Sequence, residues 1–226
     1  MKFPSMRPAR TPQLAAVCLA ALLAGCTSAR RDDAGFKPLF DGKTLNGWRY
    51  VGHSPGGYQV RDGALVCESG VRGNLFTEKE YENFILRFEF KLDYAANNGI
   101  GIRSPLVTDV SRSGMEIQIL EESGAFSGKI GRLRPEQLHG SLYDVFPARP
   151  GAMKTPGEWN AQEIRVDGRR IRVTLNGIVI LDVDLNTVTS PEKLAKHPGL
   201  RRERGHMAIL GHRDHVEFRN LFIKEL

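Results

Sequence analysis

The chain has 226 residues, 41% of them hydrophobic, and its 32 Lys and Arg against 26 Asp and Glu give a formal net charge of +6. Three of those basic residues, Lys2, Arg7 and Arg10, fall in the first 25; without them the balance is 29 to 26, a net +3, and the case for a nucleic-acid partner loses its main support. Of the cysteines Cys18, Cys26 and Cys67, the first two belong to an apolar leader and its end, so Cys67 stands alone and no disulfide staples the domain.

The leader has a basic head followed by the apolar run Leu14–Gly25, which is too short to span a bilayer as a helix. It ends in Leu23-Ala24-Gly25-Cys26, which resembles a bacterial lipobox; that resemblance implies cleavage before Cys26 and lipidation of its thiol. An ordinary secretory signal is the competing reading. Thr27 rather than Asp follows the cysteine, which favours the outer membrane, on its periplasmic side or at the cell surface. Residues 1–25 are thus read as a lipoprotein signal, 26–35 as a tether, and 36–226 as one domain with a sizeable core.

From Phe36 onward the signals are strands and turns. Asp41-Gly42, Asp62-Gly63, Asp167-Gly168 and Asn176-Gly177 recur between apolar runs, and such pairs favour the positive φ of tight hairpins. Cys67, within ALVCES, reads as a small buried hydrophobe. Phe84, Leu86, Phe88, Phe90 and Leu92 alternate with charged residues, a long strand with one buried face. In NNGIGIRS (Asn97–Ser104), Ile100 and Ile102 alternate with Gly99, Gly101 and Arg103. In GMEIQIL (Gly114–Leu120), Met115, Ile117 and Ile119 alternate with Glu116 and Gln118. Paired antiparallel, the two strands put Arg103, Glu116 and Gln118 on one face. Strand glycines leave room for a close approach there, and the set suits a sugar. Two insertions follow, Ser123–Gly140 and the basic Thr189–Gly205, the second either solvated or a surface for acidic glycans or lipid headgroups. Ile164/Val166, Ile171/Val173/Leu175 and Val179/Leu181/Val183 continue as a meander, PEKLAK at Pro191 is a short helix, and HVEFRNLFIKEL changes phase between Phe218 and Leu221 as at a bulge. Trp48 and Trp159 are assigned to the core. Many short strands with almost no helix predict an all-β, two-sheet sandwich or jelly roll.

In this order the segments PLFDGKTLNGW (Pro38–Trp48), YQVRDGALV, NLFTEKEYENFILRFEFKL, NNGIGIRS, GMEIQIL, HGSLYDV (His139–Val145), GEWNAQEI (Gly157–Ile164), LNG and FRNLFIKEL resemble the 3-keto-disaccharide hydrolase domain family through nearly the whole chain after the leader. The resemblance implies a jelly roll of the concanavalin A-like lectin and glucanase type, with the polar face of one sheet as a sugar groove and an oligosaccharide or glycoside as partner. One departure stands out: where the family often carries a Gln-Asp-His-Gly-like run, this chain has Leu210-Gly211-His212-Arg213, in which only His212 matches.

The chemistry so implied removes the proton on carbon 2 of a 3-keto glycoside, expels the group on carbon 1 and adds water. It needs a base, a cation or donor at the enolate oxygen, and an acid for the leaving group. Glu116 is assigned as base, Arg103 as oxyanion partner and Gln118 as orienter, with His139 and His212 competing as acid and Asn160 and Tyr143 as substrate contacts. Two rivals stand beside this. A jelly-roll glucanase would pair Glu116 with Glu121 through a bulge, since retaining hydrolysis needs carboxyls about 5 Å apart. A lipid-anchored carbohydrate-binding module would need the groove alone. His206, His212, Asp214 and His215 match no standard zinc spacing; a divalent ion assisting enolate formation stays open.

Overall fold

A computed structural model describes residue 1 and residues 34–52, 57–126 and 131–226; the side chains of 125 and 126 are not described. The leader, Cys26, the tether up to residue 33 and part of the first insertion lie outside the described residues. The strands are β1 (Lys37–Pro38), β2 (Trp48–Gly52), β3 (Tyr58–Arg61), β4 (Ala64–Cys67), β5 (Arg72–Tyr81), β6 (Phe84–Leu92) and β7 (Asn97–Ser104), then β8 (Met115–Leu120), β9 (Asn160–Asp167), β10 (Arg170–Leu175), β11 (Ile178–Asp184), β12 (Gly205–His212) and β13 (Val216–Glu225). Short helices α1 (Val110–Ser113), α2 (Glu122–Phe126) and α3 (Pro191–Lys196) sit in the connections. Among the described residues no helix is long and apolar enough to cross a membrane.

The strands form two antiparallel sheets, the all-β jelly roll expected. One runs β11-β10-β9-β6-β13-β4-β3 with β1 beside β13; the other runs β2-β5-β12-β7-β8. Local turn chemistry sets the hairpins. Asp62-Gly63 joins β3 to β4 and Asn176-Gly177 joins β10 to β11, all four residues at positive φ, as two-residue turns between right-twisted strands require. At the third such pair the turn proper is Gly168-Arg169, with Asp167 already opposite Arg170.

The core lies between the sheets. The even residues of β6 enter it, as do Met115, Ile117 and Ile119 of β8 and Ile100 and Ile102 of β7. Truncating a buried aromatic such as Phe84, Phe90 or Phe218 to Ala should cost about 3–5 kcal/mol. Cys67 is buried there, and burial pushes its thiol pKa up to about 11. Trp48 joins the core, its Nε1 donating to the Leu39 carbonyl at 3.1 Å. Trp159 does not: it is half-buried outside the eight-stranded sheet, beneath the Arg219 guanidinium 4.0 Å from the ring centre.

Bulges decide where alternation fails. One lies between Arg219 and Phe222 in β13, with Asn220 at φ 52°, where the phase change predicts it. A second, at Val173/Thr174, pairs Val173 with Leu181 and Thr174 with Val179. Ile180 therefore enters the core and Val179 is exposed, against the meander reading of β11. The third, opposite β12 between His206 and Ala208, falls in β7 and reshapes the predicted site.

Candidate active site

The outer face of the five-stranded sheet carries the site. On β8, Glu116 lies opposite Gly101 and Gln118 opposite Gly99; across β7, Gly101 faces Ala208 and Gly99 faces Leu210 of β12. The two glycines make a floor between the outer strands. A Cβ added at Gly99 would come 2.3 Å from Glu116 Oε1, so the carboxylate lies over that position and only hydrogen fits beneath it. A Cβ at Gly101 would meet the Val110 side chain at 2.8 Å. That seats α1 over the sheet, and Asn74 Nδ2 ties the same connection down through the carbonyls of Val107 (3.2 Å) and Thr108 (3.0 Å).

Glu116, 5% exposed, reaches across β7 to the end of β12, where His212 Nε2 lies 3.3 Å from its Oε1. Burial alone would lower the His212 pKa. The hydrogen bond to Glu116 and the charges of Glu116 and Asp214 outweigh it and hold the pKa above the ordinary histidine value. The result is a shielded carboxylate beside an imidazole that favours its protonated form, with the His212 side chain 39% exposed. Gln118 completes the face: its Nε2 donates to Asn97 Oδ1 at 3.3 Å, while its buried Oε1 has no partner. Asp214 accepts from the Asn97 amide at 2.9 Å. The register also sets Arg72 of β5 directly opposite His212, a cation on the site's face that the sequence reading missed. Its position in VRGN carries no local signal, because only the β5–β12 pairing brings it there.

Several expected members are elsewhere. Arg103 is the bulge residue of β7, at φ 48°, and the extra residue ends the alternation that would have put it beside Glu116. Its guanidinium is buried and donates to the Glu82 carbonyl (2.9 Å), Asn83 Oδ1 (3.0 Å) and the Arg202 carbonyl (3.4 Å). It ties connections together rather than facing the groove. His139 lies between the sheets, stacked on Phe90 with ring centres 5.3 Å apart. Its Nδ1 accepts from the Leu120 amide at 3.2 Å, so Nε2 carries the hydrogen that bonds Gln162 Oε1 at 2.9 Å. Burial lowers its pKa to about 4, against the Gln162 hydrogen bond, and it is a neutral core residue. Asn160 belongs to β9 of the other sheet; its Oδ1 accepts from the Lys154 amide (2.9 Å) and Asn176 Nδ2 (2.8 Å). The Tyr143 amide donates to the Glu116 carbonyl at 2.9 Å, which sets its backbone beside β8, and its hydroxyl accepts from Gln137 Nε2 at 3.0 Å.

The glucanase pair does not form. The Glu121 carboxylate accepts from the amides of Ala95 (2.8 Å), Ser123 (2.9 Å) and Gly124 (3.0 Å) and from Ser123 Oγ (2.5 Å). Burial would raise its pKa, but these bonds hold it below the ordinary value. Glu121 clamps the start of α2. Among the described residues no group of three or more His, Cys, Asp or Glu is placed to hold a metal ion. His206 turns to the Thr77 carbonyl (2.8 Å) and His215 to Glu217 (3.3 Å), away from His212. The basic second insertion is engaged internally as well: Lys193 donates to the Val145 carbonyl (3.1 Å), Lys196 to Asp144 (2.5 Å) and Arg202 to the Arg103 carbonyl (2.8 Å).

The chain resembles known proteins along most of its length. The chain is 28% identical over 232 residues to a 3-keto-disaccharide hydrolase of Bacteroides thetaiotaomicron, covering 86% of this chain and 80% of that protein. A candidate glycosyl hydrolase of Parabacteroides distasonis superposes with a TM-score of 0.73 at 28% identity, over 84% of this chain and 99% of the other. An endo-β-1,3(4)-glucanase of family GH16 shares the fold alone, with a TM-score of 0.50 and 13% identity over 85% of this chain and 96% of the other. The model of the 3-keto-alpha-glucoside-1,2-lyase-like domain matches residues 35–224, and the chain belongs to that family.

Proposed function

We propose that this chain cleaves 3-keto glycosides by elimination across carbons 1 and 2 followed by hydration. The observation that carries the reading is the Glu116 carboxylate lying over Gly99 with His212 Nε2 at 3.3 Å, on the outer face of the five-stranded sheet. Glu116 takes the proton from carbon 2, which is acidified by the neighbouring ketone. The electron pair left on carbon 2 forms the carbon 1–carbon 2 double bond as the carbon 1–oxygen bond breaks. Protonated His212 gives its proton to the departing oxygen, a role that its raised pKa favours. Water then adds its oxygen to carbon 1 and a proton to carbon 2. Arg72, opposite His212, is the cation assigned to the enolate oxygen in place of Arg103. The family's lyase-like description and the relative's hydrolase name both support the sequence of elimination and hydration.

Turnover in heavy water tests the route: the released 3-keto sugar should carry deuterium at carbon 2 above a product-only control. Hydrolysis without that label would reject it. Cleavage of the unoxidised sugar would point to conventional glycosidase chemistry, and sugar binding without turnover of either substrate to a carbohydrate-binding module.

The protein acts, in this reading, as an outer-membrane lipoprotein held by a lipid on Cys26. Expressed in a bacterial host it should sediment with membranes and become soluble on Cys26→Ser. An unmutated protein found wholly soluble would sink the anchor.

A further inference from the structure

Between α1 and the segment that follows His139 lies a cavity of about 430 Å³ lined by Asp109, Ser111, Arg112, Tyr143, Asp144, Lys196 and His197. Its size is that of ordinary small-ligand pockets. Two features tie it to the site. Tyr143 is bonded through its amide to the Glu116 carbonyl, and α1, which brings Ser111 and Arg112, is seated by Val110 on Gly101 opposite Glu116.

His197 gives the cavity its chemistry. The side chain is 4% exposed; its Nδ1 donates to the Ser111 carbonyl at 3.1 Å, and its Nε2 is buried with no hydrogen-bond partner. Burial and the charges of Lys196 and Lys193 hold its pKa below the ordinary histidine value, against the Ser111 hydrogen bond and the Asp109 charge. With Nδ1 as the N–H, Nε2 is a lone-pair acceptor that calls for a donor such as a hydroxyl. Two donors stand nearby. The Tyr143 hydroxyl accepts from Gln137 Nε2 at 3.0 Å and retains its own proton to give. The Arg112 guanidinium is exposed and, among the described residues, has no hydrogen-bond or ion-pair partner. Among the lining residues Asp109 and Asp144 match Arg112 and Lys196 in number, and Asp144 is bonded both to Lys196 and to Arg134 from outside the lining.

We propose that this cavity is a subsite for a neutral sugar ring, the leaving-group half of the substrate, with a ring hydroxyl donating to His197 Nε2. Which half it takes rests on the function proposed above; that it binds a neutral sugar does not. An apolar aglycone, with no hydroxyl to donate, would leave His197 Nε2 unpaired.

The test is calorimetric titration of the whole protein with maltose, a disaccharide with no ketone, in the natural protein and in Arg112→Ala and His197→Phe. The natural protein should bind, and each substitution should weaken binding about ten-fold, as loss of one hydrogen bond to the ligand does. Arg112 is exposed, so its variant keeps the fold; should His197→Phe fail to fold, Tyr143→Leu takes its place. No maltose binding, equal affinity in the natural protein and Arg112→Ala, or tighter binding of inorganic phosphate than of maltose would overturn the subsite. A kinetic arm separates it from the chemistry. The ratio of kcat/KM for 3-keto maltose to that for 3-keto methyl glucoside should fall about ten-fold in Arg112→Ala, through KM. If neither ketone is turned over, the eliminative reading fails and the maltose titration still decides the subsite.

Discussion

Strand alternation sets the outer faces of both sheets, yet they handle charge in opposite ways, and the five-stranded one also carries the apolar cluster of Phe76, Val110, Ala208 and Leu210. On the eight-stranded sheet charges meet their opposites on the next strand: Arg87 with Glu163 at 2.7 Å, Lys91 with Glu217 at 2.8 Å, Arg219 with Glu89 at 2.6 Å. Asp182 accepts from both Arg170 and Arg172, and the Arg170 bond leads in holding its pKa down to about 2. These pairs are partly solvated, and each contributes little. On the five-stranded sheet the strand beside Glu116 offers glycine instead of a counter-charge. The carboxylate extends over it and finds a histidine two strands away. A neighbouring opposite charge holds an acid in place as structure, whereas a cleared strand leaves it beside an ionisable partner.

The strongest way to break this contrast is to neutralise one acid on each face. Glu116→Gln is nearly isosteric and removes the basic oxygen, so turnover of a 3-keto glycoside should fall about a hundred- to ten-thousand-fold. Glu163→Gln should leave turnover unchanged and cost about 1 kcal/mol or less. Equal activities in the two variants would end the assignment of Glu116.

The two histidines sharpen it next. His139 is neutral in the folded protein down to about 4 but protonates near 6.5 when unfolded, so the unfolded state binds the extra proton between those values. Stability should therefore fall as pH drops from 6.5 toward 4, by on the order of 3 kcal/mol, seen in urea midpoints and flattened by His139→Gln. His212 has the opposite sign. With its folded pKa raised, its contribution is present below the unfolded value and lost as pH rises through the folded one. A urea midpoint independent of pH across that acid range would contradict the buried placement of His139.

The smallest effect probes the floor. Gly99 is not in the left-handed region, so Gly99→Ala acts by placing a methyl against the end of the Glu116 side chain at 2.3 Å and against the Leu210 side chain at 2.9 Å. The flexible carboxylate must shift. Thermal stability should change little, while kcat falls about ten- to hundred-fold from misplacing the base. A variant as active as the natural protein would show that the position of the carboxylate over Gly99 does not matter.

Alternation and turn chemistry are local, which is why the residues alone determined so much. The period of two in β6, β7 and β8 picked out their buried faces, and Asp62-Gly63 and Asn176-Gly177 marked true hairpins. Glu116, Gln118 and the intervening glycines were legible for the same reason, as was the phase change in β13. What the tertiary structure decided depends on which strands pair and where an extra residue enters. A bulge turned Arg103 away from the groove, another exchanged Ile180 for Val179 in the core, and packing between the sheets took His139 for Gln162. Of the two histidines left open by the sequence, the sheet order brought His212 to Glu116, 96 residues away along the chain. A single inserted residue reverses a side chain's face, and nothing in the neighbouring residues declares it, because the insertion is resolved only when the partner strand is in place.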